Sequence, residues 1–203
     1  MSTTRFITPD EIDYLRVIYT IDKKNMGAIM SYERREMFLA NLKEKMLEGR
    51  VHVAVVFDDN NNPIASNQGL EFQKVLAWRW AGISTVHSEN HFNKSATLLV
   101  PAFDMMINLM ESKGYYKFWA INKESNLNIL YRILCKHSNL LHRYNVYDEL
   151  IIPKGEKSGI PLFDMLRRPS ESYDVLVRLY SLDQKHRVAL LQRSNYEDYT
   201  RSV

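Results

Sequence analysis

Apolar positions change their spacing several times along the chain, and each change marks an element. Thr8-Pro9-Asp10-Glu11 predicts a helix start, with Thr8 as cap, Pro9 in the first turn and two carboxylates at the positive end of the helix dipole. Ile12, Leu15, Val17, Ile18 and Tyr19 then form its apolar face. A second helix is predicted from Ser31 to Glu48, with Met37, Phe38, Leu42, Met46 and Leu47 on one side and Gly49 as the stop. Val51 to Phe57 is β-branched and apolar, which predicts a strand. The turn residues 58–63 lead from it into a short partner strand from Ile64 to Ser66.

Further along, a strand is predicted from Lys74 to Thr85. A helix follows from Lys94 to Ser112, carrying Leu98, Leu99, Ala102, Phe103, Met106 and Leu109, kinked at Pro101 and ended by Gly114. Tyr115 to Ile121 reads as a strand, Ser125 to Lys136 as a helix, and Val146 to Ile152 and Tyr173 to Leu182 as two last strands too apolar to stand alone. Residues 154–168 form a long loop between them, with Pro153, Gly155, Gly159 and Pro161 as punctuation. Antiparallel hairpin strands combined with β-α-β crossovers predict an α/β (α+β) domain: a mixed, mostly antiparallel sheet flanked by helices on both faces. One domain is expected over residues 1–183, with residues 184–203 as a peripheral C-terminal tail.

Composition narrows the picture. In 203 residues, 45% apolar and 25% charged residues with 8 Phe, 3 Trp and 12 Tyr exclude wholesale disorder. The single cysteine, Cys135, forms no disulfide within the chain and reads as a buried structural thiol. His137, two residues on, faces elsewhere on a helix, so no Cys-His nucleophile is expected. His137 and His142 lack further ligands, and no metal site is expected. Trp78 and Trp80 share a strand face and read as core.

Net charge is +3; residues 1–131 hold 15 basic and 15 acidic side chains, so the excess, 12 against 9, lies in residues 132–203. That is no nucleic-acid signature. No apolar run is long enough for a membrane span or signal peptide, so a cytoplasmic protein is expected. Only 7 glycines occur, with no G-x-G-x-x-G and no P-loop motif. The 15 asparagines would suit an AT-rich genome such as a phage's, with host cytoplasm or virion as the location.

Three local sequences, in order, carry a resemblance over about residues 5–182. Arg5-Phe6-Ile7-Thr8-Pro9-Asp10-Glu11, Lys94-Ser95-Ala96-Thr97-Leu98-Leu99 with Glu111-Ser112-Lys113-Gly114-Tyr115, and Ala120-Ile121-Asn122 through Leu130-Tyr131-Arg132-Ile133-Leu134 resemble the GNAT family of acyl-CoA-dependent N-acetyltransferases. They look like its opening strand and capped first helix, its central helix with the turn into the fifth strand, and the strand, asparagine and helix that end its core.

What the resemblance implies is acyl transfer from acetyl-CoA to an amine of a small molecule or protein. The family's Q/R-x-x-G-x-G/A motif, whose backbone N–H groups hold the coenzyme A pyrophosphate at a helix start, overlays His91, Asn93, Lys94, Ser95 and Ala96 in degenerate form. Lys94 stands at the glycine position, which implies either a side chain strained at positive φ but facing phosphate or an ordinary helix start capped by Asn93 or Ser95. Ser84, Thr85 and Val86 fall on the splayed fourth strand that pairs with the pantetheine arm, and Asn122 on a partner for the pantetheine amide. Tyr131 falls on the tyrosine that protonates the leaving thiolate, and His87 or Glu89 follows the fourth strand where a proton relay would stand.

The competing expectation is a GNAT-like protein without catalysis, serving as a binding or structural component, for instance of a phage virion or host takeover. A homo-oligomer or protein partner is also expected, through the tail's Val188, Leu190 and Leu191. Few acidic residues occur in residues 25–36, so a polycationic acceptor such as spermidine is not favoured.

Overall fold

The computed structural model describes residues 2–21, 31–71, 80–86, 92–123, 132–156 and 174–190. Strand β1 (Thr3–Phe6) leads through a 3-10 turn at Pro9–Glu11 into α1 (Asp13–Ile21). The turn is closed from the Glu11 side: its carboxylate accepts from the Thr8 amide at 2.9 Å and pairs with Arg5, while the Thr8 hydroxyl, expected to cap, donates to Glu11 and makes no cap bond to the backbone. Helix α2 (Tyr32–Leu47) starts at Ser31, whose hydroxyl accepts from the Arg34 amide. It ends at Gly49, φ 69°, where the Arg50 amide donates to the Lys45 carbonyl and the Gly49 amide to the Met46 carbonyl. That pair of bonds is a Schellman motif, and only glycine enters it without strain.

Strands β2 (Val51–Phe57), β3 (Pro63–Glu71), β4 (Trp80–Val86), β5 (Lys117–Lys123), β6 (Tyr144–Ile152) and β7 (Val175–Leu182) complete a seven-stranded sheet in the order β1-β2-β3-β4-β5-β7-β6. All neighbours pair antiparallel except β4 and β5, which are parallel and joined by α3 (Phe92–Ser112). Gly114, φ 74°, ends α3 with the same two-bond motif, the Tyr115 amide donating to Met110 and the Gly114 amide to Glu111. Residues 132–137 and 184–190 are also helical.

The sheet separates two cores. Val51, Val53, Val55 and Phe57 pack with Leu15, Ile18, Phe38 and Leu42 of α1 and α2. On the other face Ala54, Val56 and Ala65 meet Leu99, Phe103, Met106 and Ile107 of α3. Phe118 anchors that side: it stacks on Tyr180 at 4.7 Å and meets Phe103 and Tyr144 edge-on. The fold class expected from the pattern is therefore the one observed.

Several expectations need correction. Val17, Met37 and Leu47 point to solvent, because each sits a fraction of a turn off the stripe that faces the sheet. The strand expected to end at Ser66 runs on to Glu71, since its polar residues Ser66, Asn67 and Gln68 are buried by neighbours on both sides. Cys135 is exposed, because Leu134 is the residue its helix turns into the core. Of the tail, residues 184–190 form a helix whose Leu190 packs on the α3-side core and whose Arg187 lies 4.4 Å over the Tyr116 ring. Trp78 lies outside the described residues.

Candidate functional site

The parallel junction between β4 and β5 is where the sheet is open. The two strands pair from Trp80–Lys117 to Ser84–Ile121, and the ladder ends there. Both strands continue: β4 stays paired to β3 through Thr85 and Val86, and β5 stays paired to β7 through Asn122 and Lys123. Past Ser84–Ile121, at the C-terminal ends of these parallel strands, the facing backbone edges of β4 and β5 are therefore no longer paired with each other. Backbone polar groups at such a gap need partners.

Helix α3 begins at Phe92, shortly after β4 ends, and a crossover between parallel strands places its N-terminus at this same end of the sheet. Helix geometry leaves the N–H groups of Phe92, Asn93 and Lys94 without intrahelical partners, and no acidic residue neutralises the first turn. The gap and the helix start together offer donors and acceptors for an extended polar chain and donors for an anion. Of the sequence-derived candidates, Thr85, Val86 and Asn122 lie past the last β4–β5 pair, Ser84 lies in that pair, and Asn93, Lys94, Ser95 and Ala96 lie in the first turns of α3.

Lys94 is helical, not at positive φ, so no backbone strain attends the side chain at the family's glycine position. Asn93 and Ser95 lie inside the helix, which excludes either as its N-cap. His87, Glu89, His91 and Tyr131 lie outside the described residues. Among the described residues no group of side chains could hold a metal ion, and no helix is long and apolar enough to cross a membrane.

A polar cluster that sequence reasoning missed occupies the opposite end of the sheet. His52 on β2 places Nε2 2.6 Å from Glu71 Oε1 and 2.9 Å from Lys113 Nζ. Lys113, at the end of α3, also pairs with Glu71, and the Tyr115 hydroxyl donates to Glu71 Oε2 at 2.9 Å. Burial alone would raise the Glu71 pKa, but the hydrogen bonds from His52, Lys113 and Tyr115 outweigh it and bring it down to about 2. Glu71 pairs in register with Ala81, near the start of β4, whereas the split lies beyond Ser84. The cluster ties β2, β3, α3 and the approach to β5 together. The one sequence signal for it was a histidine set inside the apolar run of β2.

No protein-family model matches the chain, and no curated protein matches it by sequence. Solved structures do match over nearly its whole length. A ribosomal-protein-S5-alanine acetyltransferase from Vibrio fischeri superposes with a TM-score of 0.61 at 11% identity, over 90% of this chain and 94% of that one. An acetyltransferase of the GNAT family from Streptococcus pneumoniae gives 0.56 at 12% identity, over 88% and 98%. Mutant forms of a spermidine/spermine N-acetyltransferase from Vibrio cholerae give 0.53 at 16%, over 96% and 99%. With the split at β4 and β5 and the helix that follows it, these matches show that the chain has the GNAT fold.

Proposed function

We propose that this protein is an acyl-CoA-dependent N-acyltransferase that transfers an acyl group, acetyl in the simplest case, to an amine of a small molecule or protein. The observation that carries the reading is the β4–β5 ladder ending at Ser84–Ile121 beside the start of α3. An acyl-CoA fits the donor set there: a pyrophosphate needs N–H donors and positive potential, and a pantetheine amide needs a strand edge. Asn93 and Lys94 would hold the phosphates, Thr85 and Val86 the arm, and Asn122 an amide of it. When bound, the coenzyme supplies an acyl group activated as a thioester.

In this reading His87 or Glu89 takes the proton that the acceptor's ammonium must lose before its nitrogen can attack. Tyr131 would give its phenol proton to the sulfur as the carbon–sulfur bond breaks. In this reading the acceptor is an amine; of the neighbours, the Vibrio cholerae enzyme is named for spermidine and spermine, which are amines. A screen of small amines and peptides for thiol release identifies it, and strong turnover of polyamines would contradict the acidic-poor reading of residues 25–36.

Titration calorimetry with acetyl-CoA tests the proposal. A saturable heat is expected; no heat and no thermal shift at about millimolar ligand leaves the binding or structural reading. Lys94→Ala is expected to weaken binding and flatten its salt dependence. Unchanged affinity would put Lys94 in solvent.

A further inference from the structure

Beside the split, the interior of the sheet holds an amide that nothing in the protein satisfies. Asn67 on β3 is fully buried, and neither its Nδ2 nor its Oδ1 has a hydrogen-bond partner. Buried amides are almost always paired, so one left open on both atoms calls for an explanation. Its place in the register suggests one. Asn67 pairs with Thr85, the first β4 residue beyond the last β4–β5 pair.

Cross-strand partners share a face of the sheet, so Asn67 lies with Ala54 on the side covered by α3. Along β3 its neighbours on that face are Ala65 and Gly69, and Met106 closes the Gly69 end by packing where a Cβ would stand. Next to the amide on β2 and β3 the sheet presents the small residues Ala54, Ala65 and Gly69, with Val56 diagonal to it. From the gap, the backbone of β4 at Thr85 is crossed first and β3 at Asn67 is the next strand.

Resting on the acyl-CoA reading, we infer that Asn67 selects the acyl group: the preferred thioester carries a hydroxyl or carboxamide on its acyl chain, which pairs with the Asn67 amide behind β4. A plain acetyl methyl would leave both amide atoms open, whereas a neutral group that donates and accepts satisfies both.

Calorimetry on the full chain compares coenzyme A, butyryl-CoA and 3-hydroxybutyryl-CoA, the last two matched in size. The hydroxylated thioester is expected to bind about tenfold more tightly than butyryl-CoA. In Asn67→Leu and Asn67→Ala that preference is expected to vanish while coenzyme A itself binds unchanged. Asn67→Leu is also expected to melt higher than the unaltered protein, because it removes an unpaired buried amide while keeping the same branched shape. Equal affinity for the two acyl thioesters in the unaltered protein overturns the inference and leaves the acyl-CoA reading standing. So does a preference that survives in either variant. Failure of coenzyme A to bind overturns both. Equal affinity in the unaltered protein overturns the inference even if neither variant folds.

Discussion

Replacing Glu71 by glutamine tests how the end of the sheet away from the split is held. The carboxylate is matched to His52, Lys113 and Tyr115 at once, and its pKa falls from an ordinary 4.5 to about 2. At about 1.4 kcal/mol per pH unit the lowering corresponds to roughly 3 kcal/mol of stability, with little screening to discount because the side chain is only 20% exposed. The sign follows from linkage. A carboxyl with a depressed folded-state pKa stabilises the fold above its unfolded value and loses that contribution as pH falls through the folded value.

Urea unfolding at about pH 7 should therefore show Glu71→Gln less stable by about 3 kcal/mol, or about 6–12 °C in melting temperature for a chain of this size. By about pH 3 the unaltered protein should have lost about 2 kcal/mol of that advantage, and the two curves should converge. A deficit below about 1 kcal/mol at neutral pH, or one that does not shrink on acidification, would refute the reasoning.

Other outcomes follow from the same geometry. Phe118→Ala removes the ring that Phe103, Tyr144 and Tyr180 share and is expected to cost about 3–5 kcal/mol in chemical denaturation; a loss below about 1 kcal/mol would deny it that central place. Cys135, being exposed, should react with a thiol reagent in the folded protein at a rate unchanged by sub-denaturing urea. Reaction only on unfolding would return it to the core.

The helix stops were legible because glycine at a positive-φ cap leaves a chemical mark: Gly49 and Gly114 both close the motif their positions suggested. The limits of β2 were equally plain, since Val51 to Phe57 is apolar on both faces and buried on both. The second half of β3 was not legible. Ser66-Asn67-Gln68-Gly69 reads locally as loop chemistry, and only the pairing with β2 and β4 makes it a central strand. Met37 and Leu47 show the converse, apolar residues that no neighbour covers.

At the site, Thr85, Val86 and Asn122 came from a resemblance, and nothing in their side chains announces a split; the gap is a property of pairing, which appears only when four strands are laid side by side. For Lys94 the motif, matched by position, left a strained turn and an ordinary helix start both open, and the helix, which begins at Phe92, makes it an ordinary helical residue. The Glu71 cluster joins residues from β2, β3, the end of α3 and the approach to β5, so no short window of sequence contains it.

The central claim is that the open junction of β4 and β5 and the start of α3 form one site for a coenzyme A thioester. Backbone amide chemical shifts followed by NMR during titration with coenzyme A test it most directly. Saturable changes are expected, concentrated at Thr85, Val86, Asn122 and residues 92–95, with His52, Glu71 and Lys113 at the far end unmoved. Binding that leaves the split silent, or that perturbs the Glu71 cluster instead, would contradict it.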